Sequence, residues 1–368
     1  MDKAEHAVIP PLYLSSTYKM KGLEDFPPYQ YSRTRNPTRD ILAEAISGLE
    51  GGHDACITAS GMAAITLVLH LLEPDDLLIA PYDCYGRAYR LMSALAEKGH
   101  FKLDFVDQYH ENAAQTIAAK APKMVFIESP SNPVMRVANI AAISGAVKDA
   151  NPDALIVCDN TFLTPILQLP LHLGADIVCH STTKFLNGHS DVVGGAVIAK
   201  TKEIWDELDF WSNSLGVIGA PFDSYMTLRG LRTLEMRINR AQENAKAIAY
   251  FLQEHNAIDH VYYPGLENHD HFDLAAKQQE GPGAMLSFTL KGDKSHAATF
   301  IERLNVFVLA QSLGGTESLI NHPASMTHVA MGEEAKKKAG ISDNLFRLSV
   351  GIEHIDDLID DLENALKG

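Results

Sequence analysis

Short apolar runs alternate with amphipathic stretches over the first two thirds of the chain. The apolar runs predict strands at residues 55–58, 77–80, 103–106, 124–128, 155–158, 177–180 and 196–199. Most of the intervals between them have the spacing of an amphipathic helix. This alternation is typical of an α/β fold, a mostly parallel sheet with helices on both faces. In such folds ligands bind beyond the carboxyl ends of the strands.

The last third of the chain has a different pattern. A long helical stretch over 224–254 leads into strand-like runs at 284–290 and 345–349 and helical stretches at 295–304 and 355–366. These elements predict a smaller α+β domain. The first 37 residues are rich in Pro, Tyr and Ser, and predict an irregular arm without a core of its own. We therefore predict an arm (1–37), an α/β domain (38–238) and a C-terminal α+β domain (239–368).

Composition limits the class of protein. The chain has 368 residues, of which 46% are hydrophobic, and a formal net charge of −16. This length suits two domains, and the acidic balance argues against a nucleic-acid partner. The four cysteines are widely spaced without metal-ligand spacing, so we predict buried thiols in a reducing compartment and no metal site. Without a signal-like amino terminus or an apolar span, we expect no membrane contact and a cytoplasmic location.

An amine and a carboxylate follow two neighbouring predicted strands. Asp159 comes directly after strand 155–158, and Lys184 follows strand 177–180 by four residues. This pair suits pyridoxal phosphate (PLP), whose aldehyde binds a lysine amine and whose ring nitrogen needs a carboxylate to stay protonated. An ordinary loop lysine and a helix-capping aspartate are the alternative. The polar, glycine-containing run that follows Lys184 favours the cofactor.

A phosphate site is predicted where strand 55–58 meets the next helix. Ser60, Gly61 and Met62 open that helix, and free amides at a helix start bind phosphate. A serine at this position is also a common N-cap, so this signal alone is weak. Ser181 and Thr183 would add hydroxyl groups close to the lysine.

Several stretches resemble the PLP-dependent enzymes of Cys/Met metabolism, a family that includes cystathionine γ-synthase, cystathionine γ-lyase, cystathionine β-lyase and methionine γ-lyase. The resemblance runs nearly end to end. The stretches that carry it are Tyr31-Ser-Arg-Thr-Arg-Asn-Pro-Thr-Arg39, Ser129-Pro-Ser-Asn-Pro133, Asp159-Asn-Thr-Phe162, His180-Ser-Thr-Thr-Lys-Phe-Leu-Asn-Gly-His-Ser-Asp-Val-Val-Gly-Gly195, Ser312-Leu-Gly-Gly315, Met326-Thr-His328 and Arg347-Leu-Ser-Val-Gly-Ile-Glu353.

The resemblance implies a PLP-dependent transferase fold of the aspartate aminotransferase type (fold type I) and an assembly of four copies built from dimers. It implies that Lys184 binds PLP covalently and that Tyr85 lies against the cofactor ring and takes part in proton transfer. In this family the counterparts of Tyr31 and Arg33 cross a subunit interface to the partner's cofactor phosphate. A monomer would then lack a complete site.

Arg347 lies in an apolar, strand-like run, so its charge needs an anionic partner. An internal salt bridge is one possibility. The resemblance implies the other, the α-carboxylate of an amino-acid substrate, with help from Asn132 and Ser312. Arg90 and Gln311 are candidates for the distal end of the substrate, although Arg90 also fits an ordinary helix-surface arginine.

Within the family, stretches such as 80–86 and 283–288 most resemble the bacterial cystathionine γ-synthases. This implies γ-replacement, in which an O-acylated homoserine, commonly the succinyl ester, and cysteine give cystathionine. Two departures leave other activities open. Gln311 stands where the synthase and γ-lyase patterns usually have Glu, and Thr34-Arg35 replaces Arg-Gly. The alternatives are a cystathionine γ-lyase or β-lyase, and a catalytically idle PLP-binding regulatory protein.

Overall fold

Seven strands form the larger of two sheets in the part of the chain that the computed structural model describes, residues 6–292, 294–328 and 332–367. The first five residues and the last residue of the predicted domains lie outside this part. The strands are β1 (Asp54–Thr58), β2 (Leu77–Pro81), β3 (Lys102–Val106), β4 (Met124–Glu128), β5 (Leu155–Asp159), β6 (Ile177–His180) and β7 (Gly195–Ala199).

The order of these strands is β1-β7-β6-β5-β4-β2-β3. All pairs from β6 to β3 are parallel, and only β7 runs antiparallel to its neighbours β1 and β6. This confirms the mostly parallel sheet that the sequence predicted. Consecutive parallel strands need crossover helices, which cover both faces of the sheet.

The helices of this domain are α1 (Pro37–Glu50), α2 (Gly61–Leu69), α3 (Gly86–Glu97), α4 (Ala113–Ala118), α5 (Ile140–Ala150), α6 (Thr164–Leu167) and α7 (Lys202–Leu215). Alternate residues of a strand point to opposite faces, and β5 shows the result. Ile156 packs in a cluster with Ile46 and Ile143, whereas Val157 packs with Leu67 and Met92 on the other face. The sheet is therefore buried on both sides.

The prediction of a single long helix over 224–254 is wrong. The chain instead forms α8 (Pro221–Leu231) and α9 (Leu234–Glu254). Both the amide and the hydroxyl of Thr233 donate to the Gly230 carbonyl at 3.1 Å, which closes α8 with a tighter turn. Gly230 is needed here because a Cβ atom would lie 2.0 Å from the Asn187 carbonyl oxygen. Helix α8 therefore ends at Leu231, and α9 begins at Leu234.

The second sheet belongs to the smaller domain and has the order β10-β11-β12-β9-β8. α9 links the domains, because Ile238 packs in the first core and Ile248 in the second. The predicted boundary at 238/239 falls inside this helix, and the domain limits remain a prediction. The elements are β8 (Ile258–Tyr262), α10 (Phe272–Gln278), β9 (Met285–Leu290), α11 (Lys294–Arg303), β10 (Val308–Leu309), β11 (Leu319–Asn321), α12 (Glu333–Ala339), β12 (Leu345–Ser349) and α13 (Ile355–Leu366).

The amino-terminal arm has no helix among its described residues, 6–36, and a single β-bridge joins Thr17 to Tyr31. It leaves large apolar side chains in solvent. Leu23 is 96% exposed, and Val8, Leu14 and Phe26 are also exposed. Such a surface is unusual for a segment that has no partner. No helix in the described part of the chain has the length and apolar character needed to cross a membrane.

A buried carboxylate on α13 ties down the turn before β10, and this contact predicts a stability effect. Asp361 accepts the amides of Asn305, Val306 and Phe307 at 2.8–2.9 Å. Asp361→Ala removes the acceptor of all three amides, so we expect a loss of about 2 kcal/mol in the free energy of unfolding, measured by thermal melting. Asp360→Ala, on the exposed side of the same helix, is the control. Equal melting temperatures for the two variants would contradict the prediction.

Candidate active site

A cavity of about 320 Å³ opens where the carboxyl ends of β4, β5 and β6 meet the start of α2 and the smaller domain. The structure brings most of the predicted site residues together around it. Those that line the cavity are Gly61, Met62, Tyr85, Asn132, Asp159, Ser181, Thr183, Lys184, Gln311, Ser312 and Arg347. Tyr31, Arg33 and Arg90 are not among the lining residues.

Lys184 reaches into the cavity from the loop that follows β6. Its Nζ donates to Ser312 Oγ at 2.5 Å. Burial, reinforced by the positive charge of Arg347, lowers the pKa of Lys184 to about 8. An amine with such a pKa is available both as a nucleophile and as a base close to neutral pH.

Two features that the sequence analysis missed contact the backbone directly after Lys184. Arg237 on α9 donates to the carbonyls of Phe185 and Gly230, each at 2.8 Å. Burial lowers the pKa of its guanidinium to about 10. Gly314 has a φ of 79°, and a Cβ atom there would lie 2.6 Å from the Phe185 amide nitrogen. No local pattern predicts either contact, because both join segments far apart in the sequence.

Asp159 is the last residue of β5, and its carboxylate faces the cavity. Its Oδ1 accepts the Thr161 amide at 2.9 Å, and Thr161 Oγ1 in turn accepts the Ser181 amide at 2.9 Å. Burial raises the pKa of Asp159, while the hydrogen bonds from Thr161 and the nearby His180 act in the opposite direction. A cation placed next to this carboxylate would lower the raised pKa of Asp159. A protonated pyridine nitrogen is such a cation.

The start of α2 fits a phosphate group. Ser60 is the N-cap, and its Oγ accepts the Ala63 amide at 3.1 Å. The amides of the first helical residues, Gly61 and Met62, have no acceptor within the helix. A Cβ atom on Gly61 would lie 2.7 Å from the Ser181 Cβ, so only glycine allows this close approach. Free amides, a helix dipole and the Ser181 hydroxyl thus surround one small space.

Thr183 is differently placed from Ser181. Its hydroxyl accepts the Gly194 amide at 3.0 Å and donates to the Gly194 carbonyl at 3.2 Å. These bonds close the loop that carries Lys184. A contact from Thr183 to phosphate, as the family resemblance implies, remains a prediction.

Tyr85 lies at the cavity wall directly before α3. Its amide donates to Glu128 Oε2 at 2.9 Å. Glu128 was missed as a site residue, although it is the last residue of a strand that the sequence predicted correctly, 124–128. Its place at the carboxyl end of a central strand was the available signal.

Arg347 carries a buried charge with no ion-pair partner among the described residues. It donates to Asn132 Oδ1 and to the Ser312 carbonyl, both at 2.9 Å, and its Nε has no acceptor. Burial lowers the pKa of this guanidinium to about 10. The internal salt bridge considered above is therefore absent from the described structure. A buried guanidinium that lacks a carboxylate favours binding of an anion.

Ser312 joins the amine and the guanidinium. Its hydroxyl accepts from Lys184, and its carbonyl accepts from Arg347. Its φ of 92° is unusual for a residue other than glycine. Such backbone strain is concentrated at functional sites, where the surrounding contacts enforce it.

Three predicted site residues lie elsewhere. Arg33 donates to the carbonyl and side-chain oxygens of Asn213 at 2.7 and 2.5 Å, with its guanidinium over the ring of Tyr31. Arg90 is exposed on α3. Their roles remain predictions. Arg35, which stands one residue after the arginine position of the synthase pattern, pairs with Asp40 of its own chain at 3.0 Å. No cluster of three or more His, Cys, Asp or Glu side chains suited to a metal ion occurs among the described residues.

Known proteins resemble this chain over its whole length. The chain is 50% identical over 367 residues to the cystathionine gamma-synthase of Escherichia coli K12, covering all of this chain and 95% of that protein. It is 44% identical over 367 residues to the cystathionine beta-lyase of Coxiella burnetii, covering 99% and 94%. Among solved structures, the cystathionine gamma synthase of Xanthomonas oryzae pv. oryzae in complex with aminoacrylate and cysteine has a TM-score of 0.97 at 51% identity, covering 99% and 94%.

These relatives confirm the family that the sequence stretches indicated, the α/β fold and the dependence on PLP. They include both synthases and lyases, so they establish the family rather than one reaction. The model of the family described as Cys/Met metabolism PLP-dependent enzyme matches residues 1–367. The chain belongs to this family of PLP-dependent enzymes of Cys/Met metabolism.

Proposed function

We propose that the protein is a cystathionine γ-synthase. It joins an O-acylated L-homoserine, with succinyl as the expected acyl group, to L-cysteine. The cysteine sulfur forms a bond to the γ-carbon, the γ-carbon–oxygen bond breaks, and the acyl group leaves as a carboxylic acid. The 50% identity to a synthase over the whole chain supports the choice of reaction, and the buried, unpaired guanidinium of Arg347 beside Lys184 supports an amino-acid substrate.

Arg347 and Asn132 hold the α-carboxylate of the substrate in this proposal. The guanidinium offers an unused Nε–H group, and Asn132 lines the same cavity. A carboxylate bound to a guanidinium in a buried pocket is fixed in orientation as well as position. This contact sets the distance of the substrate α-carbon from Lys184.

Lys184 moves protons on the substrate carbons. Its pKa of about 8 keeps part of the population neutral at physiological pH, and the Ser312 hydroxyl orients the amine. Bound PLP supplies the electron sink, since its protonated ring disperses the negative charge that forms when a proton leaves carbon. Asp159 keeps that ring protonated, and the start of α2 with Ser181 holds the phosphate.

A cystathionine lyase is the second candidate. The residues that hold the α-carboxylate and move protons serve elimination as well as replacement, and the chain is 44% identical to a β-lyase. Gln311 does not separate the two candidates, because the synthase and γ-lyase patterns both usually have a carboxylate where this neutral amide stands at the cavity wall. The two candidates differ at the distal end of the substrate.

A comparison of the two reactions on one preparation tests the proposal. We expect kcat/KM for cystathionine formation from O-succinylhomoserine and cysteine to exceed kcat/KM for cystathionine cleavage by about tenfold or more, a difference of about 1.4 kcal/mol in transition-state binding. Lys184→Ala is the control and should remove both activities. Faster cleavage of cystathionine would assign the protein to the lyases, and activity in neither assay would favour an idle PLP-binding protein.

The lowered pKa of Lys184 predicts a pH dependence of PLP uptake. Only the neutral amine reacts with an aldehyde, so the uptake rate by cofactor-free protein should rise about tenfold per pH unit below pH 8 and level off above it. Arg347→Met removes a positive neighbour, which raises the pKa of Lys184 and moves the midpoint to higher pH. Arg347→Lys, which keeps the charge, is the matched control. An unchanged midpoint in Arg347→Met would rule out this electrostatic coupling.

We infer that a second copy of the chain completes the site. The arm exposes Val8, Leu14, Leu23 and Phe26, and Arg33 lies outside the cavity of its own chain. Burial of this apolar surface against a partner would stabilise a dimer. The arm would then bring Tyr31 and Arg33 to the partner's phosphate site, as the family resemblance implies. The tetramer and the cytoplasmic location remain predictions of the sequence.

Mixed dimers test this inference. In a hybrid of Arg33→Ala and Lys184→Ala subunits, one cavity combines an intact Lys184 with the partner's intact Arg33. After full subunit exchange we expect about a quarter of wild-type activity, since half of the dimers are hybrids and each has one intact site. Asp159→Ala mixed with Lys184→Ala is the control, because both lesions lie in the same cavity and no hybrid has an intact site. Equally low activity in both mixtures would show that Arg33 does not act in the partner's cavity.

A further inference from the structure

Two carboxyl groups stand side by side at the carboxyl ends of β4 and β5. Glu128 pairs with Asp159 in the parallel register of these strands, and both residues line the cavity. Neighbouring strands lie about 4.8 Å apart, and paired residues point to the same face. Two carboxylates on paired residues of adjacent strands, in a buried site, cannot both ionise without a large cost.

The surroundings of the two groups differ. Asp159 accepts the Thr161 amide, with further donation from the Thr161 hydroxyl, and His180 adds favourable charge. No described lysine or arginine forms an ion pair with Glu128, whose Oε2 accepts the Tyr85 amide. Donors and positive charge therefore favour ionisation of Asp159 over that of Glu128.

The charged groups around Glu128 point the same way. Burial and the neighbouring charge of Asp159 raise the pKa of Glu128 well above its usual value, and Asp83 adds to this rise. The amides of Tyr85 and Asn132 offset part of it. Among the described cations, Arg347 lies close enough to Glu128 for the charge of Glu128 to raise the pKa of the guanidinium.

We propose that Glu128 is a positioning residue that carries the single proton of the Glu128–Asp159 pair. In its neutral form it leaves Asp159 as the negative group of the pair, available to the ring nitrogen of PLP. The Oε2 atom of its side chain accepts the Tyr85 amide and so fixes the backbone of Tyr85 at the wall of the site. The proposal concerns the cofactor site and does not depend on whether the reaction is replacement or elimination.

The Glu128 Oε2 atom accepts the Tyr85 amide at the residue where α3 starts. Tyr85 occupies the N-cap position and its side chain makes no capping hydrogen bond. On the next residue, a Cβ atom on Gly86 would lie 3.1 Å from the Thr327 carbonyl, so the turn is closely packed. A buried amide that loses its acceptor is costly, and the backbone would shift to recover one. Such a shift would move the Tyr85 ring at the wall of the cavity, where PLP would bind.

Infrared difference spectroscopy tests the protonation directly. The infrared difference spectrum between wild type and Glu128→Gln is measured with and without PLP. At neutral pH it should contain the C=O stretch of a protonated carboxyl group. Asp159→Asn removes the charge that raises the Glu128 pKa, so in this variant the band should disappear at a lower pH than in wild type. A wild-type spectrum without a protonated carboxyl band assigned to Glu128 would overturn the proposal, whatever the outcome of the activity assays.

Cofactor binding tests the positioning role. Glu128→Ala removes the acceptor of the Tyr85 amide, so we expect about tenfold weaker PLP binding and an altered visible circular dichroism of the bound cofactor. Glu128→Gln keeps a neutral acceptor and should restore most of both signals. If Gln is as impaired as Ala, the site requires a charged carboxylate and the proposal fails. If Ala binds PLP as wild type does, with the same dichroism, Glu128 does not position Tyr85.

Discussion

The parallel pairing of β4, β5 and β6 is the constraint on which the rest of the site depends. In-register parallel strands deliver their last residues to one edge of the sheet, and here these residues are Glu128, Asp159 and, after a short loop, Lys184. A shift of one residue in any of these strands would turn its terminal side chain to the other face. The register of these apolar strands therefore fixes the chemistry of the site as well as the core.

The site concentrates charges that the protein does not neutralise by itself. Lys184 and Arg347 have lowered pKa values, and Glu128 and Asp159 have raised ones, with burial as the largest cause in each case. Each shift is a cost to the folded protein, which a ligand of the complementary charge can offset. A dianionic phosphate, a pyridinium and an α-carboxylate supply such charges. Binding energy and stability are thus coupled at this cavity.

Local patterns predicted the sheet because its strands are short, apolar and separated by helical stretches. All seven predicted strands of the large sheet match the structure to within one residue at each end. The prediction of one helix over 224–254 failed at residues 232–233, just after Gly230 packs against Asn187 in a contact that no local pattern predicts. The clamp from Arg237 on the Lys184 loop was missed for the same reason. Sequence patterns identify strands and helices that depend on neighbouring residues. Contacts between segments distant in sequence become visible only in the folded structure.

The same limit applies to the choice between replacement and elimination. The fixed end of the site, made by Arg347, Asn132 and Lys184, serves both reactions and lies within one chain. The discrimination must then come from groups that contact the distal end of the substrate. Gln311 is exposed at the side of the cavity and is a candidate for that contact within the same chain. The arm would instead bring Arg33 to the partner's phosphate site, so assembly is expected to complete the cofactor site while groups at the distal end select the reaction.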